Sequence, residues 1–262
     1  HAPAYLINLY LATGDDDYAK FLEDTFDTIC DHFPDYGYSP FMNEKFFDDW
    51  SHDLKWGIHQ ARCVVGHNLK VAWNLTRMHS LMPKESYKTF AHQIADAIPG
   101  AGCDNQRGGW YDMMERTLKD GEENYRRVWH DRKAWWQQEQ GILAYYIMAG
   151  VYDDKPEYLN YAREGSAFYN GWFLDYEEGG IYFNVLANGQ PYSLGSERGK
   201  GSHSMAGYHS FELCFLSAVY TNLLVNKQPM DFFFKPNPHA WPENKLRVAP
   251  DILPAGSIEL SE

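Results

Sequence analysis

Gly66-His67-Asn68-Leu69-Lys70-Val71-Ala72-Trp73 opens an apolar stretch with helical spacing. Stretches of the same kind open at Gln137-Gln138-Glu139-Gln140-Gly141-Ile142-Leu143-Ala144 and at Tyr208-His209-Ser210-Phe211-Glu212-Leu213-Cys214-Phe215. His67, Gln138 and His209 therefore stand 71 positions apart, each just inside an apolar helix, which predicts one repeated unit. His1 begins a fourth such stretch, running into Tyr5, Leu6, Leu9 and Tyr10. Stacked repeats would bring these polar, proton-transferring side chains together at one end of a bundle.

Each period has the same internal order: an apolar helix, a more polar helix, then a Gly-rich extended segment. The patterning predicts helix pairs near 3–13 and 15–33, 54–82 and 84–98, and 132–150 and 156–170, with a fourth apolar helix over 203–225. Inner helices buried on all sides and outer helices wet on one face are the pattern of an all-α (α/α)6 toroid. Six pairs of roughly 70 residues would need on the order of 400 residues, so the reading is the later part of a barrel, about three and a half helical hairpins, with His1 lying inside a helix. Gly108-Gly109-Trp110-Tyr111-Asp112 and Gly179-Gly180-Ile181-Tyr182-Phe183, also 71 apart, predict small β-hairpins at one rim, the second reinforced by an Asn188-Gly189 turn. The stretch from Tyr36 to Trp50 reads as a longer rim loop. The domain division is 1–226 for the partial barrel and 227–262 for an extended, Pro-rich, β-like tail.

The net charge of −13 argues against a polyanionic partner. No stretch approaches the ~20 apolar residues of a membrane span, and the first residues lack the features of a signal peptide. The expectation is a cytoplasmic protein that meets a neutral small molecule, with no nucleic acid, no membrane and a homodimer as the allowed assembly. Cys30, Cys63, Cys103 and Cys214 form no CxxC pair and read as free thiols. P-loop, dinucleotide, HExxH and GxSxG motifs are absent, so no cofactor is expected, and without His pairs at i and i+4 neither is a metal.

Gly66-His67-Asn68-Leu69-Lys70, Trp135-Trp136-Gln137-Gln138, Lys200 followed by Tyr208-His209, and the two Gly-Gly segments resemble the N-acylglucosamine 2-epimerase and cellobiose 2-epimerase superfamily, from His1 to about Tyr220. The resemblance implies a sugar at the axis of an (α/α)6 barrel, with His67 and His209, matching the family's GHxxE and YHxxR motifs, as the acid/base pair. It places His1 at the start of an earlier inner helix and Trp136, in the family's WWxQxE motif, near the sugar. The departures are specific: Lys70 replaces the GHxxE carboxylate, Glu212 the YHxxR guanidinium, and Gln140 the last Glu of WWxQxE, with a carboxylate displaced to Glu139.

Epimerisation beside a carbonyl needs one group to remove a proton and another to return it, and histidine titrates in the right range for both. His67 and His209 are the catalytic candidates. His1, Trp136, Gln138, Glu139, Lys70, Glu212 and Trp110 are the candidate sugar contacts, the tryptophans by stacking. Lys70 and Glu212 could restore the family's ion pair with its sense reversed, and the cation one turn from His67 is expected to favour that histidine's neutral form. The function expected is a sugar 2-epimerase or aldose-ketose isomerase acting on a reducing-end sugar. The alternatives are a catalytically inactive carbohydrate-binding or assembly protein on the same barrel, and an (α/α)6 glycoside hydrolase or lyase using Glu139 or Glu212. The acidic cluster Asp48, Asp49 and Asp53 reads as a solvated edge of the rim loop.

Overall fold

The computed structural model describes residues 2–35, 37–55, 61–202, 204–234 and 250–253. His1 and His203, and most of the expected tail, lie outside the described residues. The helices are α1 (Ala2–Thr13), α2 (Asp16–His32), α3 (Val65–Leu81), α4 (Glu85–Ala101), α5 (Trp135–Val151), α6 (Glu157–Trp172) and α7 (Tyr208–Tyr220), the last running into a π-helical turn at Thr221–Val225. Among the described residues there are also four three-residue strands, β1 (Arg62–Val64), β2 (Met113–Glu115), β3 (Arg132–Ala134) and β4 (Asn184–Leu186), and a 3-10 turn at Gly195–Glu197.

The helices alternate inner and outer. α5 packs against α3 on one side, α7 on the other and α6 behind, while α4 backs α3 and α2 backs α1. The amphipathic outer helices bury one stripe each: Leu22, Phe26 and Ile29 on α2, and Tyr87, Phe90, Ala91, Ile94, Ala95 and Ile98 on α4. α3 and α5 are buried around most of their circumference, amides and charges included, α5 with helices on three sides and α3 packed between α4 and α5. α7 is different: Leu216, Val219 and Tyr220 are buried, whereas Phe211 and Phe215 face outward, as Tyr5 and Leu9 do on α1. This is half of an (α/α)6 toroid, three helical pairs and the next inner helix.

One expectation is corrected. The inner helices begin later than the apolar pattern suggests: the residues just before α3, α5 and α7 are the strands β1 and β3 and the turns from 204 to 207. Leading residues such as Arg132-Lys133-Ala134 are apolar enough in part to extend a helical pattern, yet their backbone is spent on a strand ladder. The expected small hairpins form, with local antiparallel bridges Cys103–Trp110 and Leu174–Ile181 across the Gly-Gly turns and Val185–Pro191 across Asn188-Gly189, and beside them distant segments pair as antiparallel ladders, β1 with β2 and β3 with β4. The Gly-Gly segments form the turns that deliver β2 and β4: Gly108 and Gly109 both have φ +79°, Gly179 +74° and Gly180 +88°, a conformation costly for a side-chain-bearing residue. A local turn does form at Asn188-Gly189, where the Leu186 N–H donates to Gln190 O (2.8 Å). Residues 227–234 and 250–253, the described part of the tail, are non-helical, and Asp251 and Ile252 are buried.

Candidate active site

A cleft of about 280 Å3 opens at the N-terminal ends of α3, α5 and α7, bordered by the β3–β4 ladder. His67, Trp136, Tyr208 and His209 line it from the helices, Phe183 and Asn184 from β4 and its approach, Arg132 and Asp112 from the ladder region, and Glu197 and Ser204 from the loop before α7. The Trp136 ring packs beside both imidazoles, 5.2 Å from His67 and 5.5 Å from His209 by ring centroids. Thus the repeat phase does bring His67 and His209 to one end. The third inner helix contributes Trp136, not Gln138.

The helix starts are held by side chains from their neighbours. α3 has no side-chain cap of its own. The Gly66 N–H donates instead to Gln137 Oε1 (2.6 Å), whose Nε2 donates to Asp112, which satisfies one of the orphan first-turn amides. Asp112 also accepts from Arg132 Nε (2.6 Å), and Arg132 reaches Glu197 (3.1 Å) while lying 4.3 Å from the Trp129 ring centroid. Burial pushes the Asp112 carboxyl up from the usual carboxylate range against the pull of Arg132.

The two histidines have unlike partners. His67 Nδ1 is 2.6 Å from Glu44 Oε2, and the other Glu44 oxygen accepts from the Val64 N–H (3.3 Å). Glu44 comes from the rim loop, where sequence reasoning singled out Asp48, Asp49 and Asp53 instead. No fixed spacing links Glu44 to His67; a signal was available only in its immediate neighbours Phe41, Met42 and Asn43, which are buried and fix the loop. His209 Nδ1 lies 2.9 Å from Gln140 Nε2 and 3.9 Å from Glu212 Oε2. Burial, then the charges of Lys70 and His67, push the His209 imidazole down to about 3.

Lys70 and Glu212 form an ion pair of 3.1 Å linking α3 to α7, one turn below the cleft. The Lys70 ammonium also lies 5.3 Å from the Trp73 ring and 5.4 Å from that of Tyr208. Burial lowers its pKa while Glu212 raises it, with burial prevailing. The Lys70 charge acts on His209, because the Lys70 side chain reaches across to α7.

Three sequence-derived candidates stand away from the cleft. Gln138 accepts from the Trp110 N–H (2.8 Å) and donates to Trp110 O (2.8 Å) and Ala134 O (3.1 Å), so its amide clamps a loop. Trp110 is buried against Gly141 and Gly165 between α5 and α6. Glu139 accepts from Tyr169 and Ser210, both at 2.6 Å, and burial pushes its carboxyl up to about 7. Residues that sequence reasoning left out, Asn184 on β4, Glu197 in a 3-10 turn and Ser204 in the turn before α7, line the cleft from segments with no long helical periodicity to flag them. Among the described residues no group of three or more His, Cys, Asp or Glu side chains is placed to hold a metal ion, and no helix is long and apolar enough to cross a membrane.

Among solved structures the chain is similar to the cellobiose 2-epimerase of Bacillus thermoamylovorans B4167, at 20% identity and a TM-score of 0.66, over 82% of this chain and 50% of that one. A D-mannose isomerase matches at 19% identity and a TM-score of 0.65, over 83% of this chain and 53% of that one. A glycoside hydrolase family 76 mannosidase of Bacteroides thetaiotaomicron VPI-5482 matches at 13% identity and a TM-score of 0.54, over 86% and 53%. The chain thus spans about half the length of these structures, and the likeness shows the toroid fold. No curated protein matches it in sequence. The profile of the N-acylglucosamine 2-epimerase (GlcNAc 2-epimerase) family matches residues 1–209. The chain belongs to the N-acylglucosamine 2-epimerase family.

Proposed function

We propose that this chain carries the proton-transfer half of a sugar epimerase or aldose-ketose isomerase, with His67 and His209 acting on the C1–C2 end of an open-chain reducing sugar. One observation carries the reading: two imidazoles from different inner helices line one cleft, each beside the same indole ring. An aromatic face suits the apolar face of a sugar, and groups from separate helices can reach the substrate from separate sides. The Nδ1 of His67 held by Glu44 leaves Nε2 as its basic nitrogen, since a carboxylate accepts the Nδ1 proton. Abstraction of the proton at C2 would be assisted by whatever stabilises charge on O1. Arg132 and Asn184, in the lining, are candidates for hydroxyl contacts.

The hydrolase reading loses support, because Glu139 is turned onto Tyr169 and Ser210 and Glu212 is paired with Lys70. Incubating the protein with D-mannose, cellobiose or N-acetylmannosamine in D2O, with NMR of the recovered sugars, tests the proposal. Deuterium at C1 or C2, absent with His67→Asn, is the expected result. Tight binding of one of these sugars without exchange would favour the inactive binding protein.

A further inference from the structure

The orientation of one buried amide decides the protonation of His209. Gln140 is fully buried on α5, and its Oε1 lies 2.9 Å from Trp73 Nε1. An indole N–H can only donate, so that atom of Gln140 must be the oxygen. The amide nitrogen then faces His209 Nδ1 at 2.9 Å and Glu212 Oε2 at 3.3 Å, and the carboxylate contact demands a donor there too. Two independent partners thus fix the amide the same way round. His209 Nδ1 must accept, which puts the ring proton on Nε2. A proton on Nδ1 would set two donors against each other, so the imidazolium is disfavoured, as is the tautomer with a basic Nε2. Glu212, 3.9 Å from Nδ1, would favour the imidazolium, but it is already held by Lys70 at 3.1 Å. Burial and the Lys70 charge act the opposite way and hold the ring neutral.

We propose that Gln140 is a positioning residue that locks His209 as a neutral Nε2–H donor, so that the site performs aldose-ketose isomerisation with His67 as the base, and not two-sided epimerisation. The assignment of chemistry rests on the reading of the cleft as a sugar proton-transfer site; the tautomer does not. Inversion at C2 needs a second group that delivers a proton to the opposite face, and a neutral imidazole is too weak an acid for that. A neutral imidazole can instead stabilise an enediolate by hydrogen bonding. In the step proposed, His67 Nε2 takes the C2 proton, the C–H pair becomes the C1–C2 double bond, and the carbonyl pair moves to O1, which accepts a hydrogen bond from His209 Nε2–H. The O2 hydroxyl proton passes to O1, the C2–O2 carbonyl forms, and the proton on His67 returns to C1. Aldose and ketose have the same atoms, and no oxidant enters.

The test has two arms. In histidine-15N-labelled protein, with the His209 signals assigned by their loss in His209→Asn, the wild type should show a neutral Nε2–H ring from about pH 8 down to about pH 5. Gln140→Glu should move the proton to Nδ1 or yield the imidazolium. A wild-type His209 with a protonated Nδ1 at neutral pH overturns the proposal. In the second arm, D-mannose and cellobiose should yield ketose at least ~100-fold faster than the C2 epimer, the scale of a missing general acid, and Gln140→Glu should raise the epimer-to-ketose ratio. An epimer formed by wild type as fast as ketose also overturns it. An Nε2–H ring in a protein that converts neither sugar would keep the tautomer, and would overturn both the isomerase assignment and the functional reading beneath it.

Discussion

The inner helices carry polar clusters at both ends, and the two are built to opposite ends. At the N-terminal end, His67, Trp136 and His209 border a cleft, and the His67 side chain is one-third exposed. At the other end, Arg77 on α3 chelates Asp251 through Nε and Nη2, and Tyr220 at the end of α7 donates to Asp251 Oδ2 (2.8 Å) and Ile252 O (2.7 Å). That cluster is closed, with Arg77 and Asp251 each 5% exposed or less. It ties a segment far along the chain to the helix ends, and its charges have protein partners. A polar cluster bordering a cleft trades packing for chemistry, whereas a closed one trades desolvation for a tie between chain segments.

The sharpest way to break this comparison is to remove a group from each end. His67→Asn should lower turnover by about 10^2 to 10^4, the usual scale for a general base, while leaving the thermal midpoint within about a degree. An assay on sugars paired with a melt checks both halves. Asp251→Asn should do the reverse. It strands a buried guanidinium at a cost of about 3–5 kcal/mol, read by urea unfolding, with unchanged turnover per folded molecule. Lost turnover at full folding would mean that the closed end communicates with the cleft.

Glu139 sharpens where the chemical end stops. Burial raises its carboxyl to about 7 in the folded protein, against about 4.3 when unfolded. The folded state therefore holds the proton more tightly between these values. The group's contribution is full below about pH 4 and is lost as pH rises through about 7, a difference on the order of 1–3 kcal/mol. Glu139→Gln keeps an acceptor for Tyr169 and Ser210, so its stability should fall less than that of the wild type between pH 5 and pH 8. Parallel pH profiles for the two proteins would show Glu139 ionised throughout.

The smallest effect is expected at Gly165, where an added Cβ would meet the Trp110 ring at 2.3 and 2.4 Å. Gly165→Ala gains up to about 1 kcal/mol of helix propensity but overpacks a rigid indole at about 1–3 kcal/mol. Net destabilisation of about 1 kcal/mol is expected by urea unfolding, with turnover unchanged, because Trp110 packs between helices and not in the cleft. A changed KM would return Trp110 to the sugar site.

The repeat, the alternation of inner and outer helices and the axis end that carries His67 and His209 were legible in the sequence, because burial on all sides or on one stripe is written directly into helical periodicity. Lys70 and Glu212, read as a pair with its sense reversed, do meet. Gln138 shared the phase of the histidines yet serves a loop, since a side chain with the same register on a helix can still turn toward the outer helix. Glu44 was invisible because its contact with His67 joins a loop to a helix with no spacing rule between them. The ladder partners of β1 and β3 were equally hidden: three-residue strands have too little period to announce themselves, and each finds its mate 50 or so residues away.

The sequence by itself thus determined the family, the half-toroid and the helix ends at which His67 and His209 gather, all of which follow from local pattern repeated along the chain. Only the tertiary structure decided which nitrogen of each histidine is engaged. Glu44 meets His67 Nδ1 with an acceptor and Gln140 meets His209 Nδ1 with a donor, and hydrogen-bond direction depends on atoms brought together from different elements at distances near 3 Å, which no one-dimensional pattern encodes.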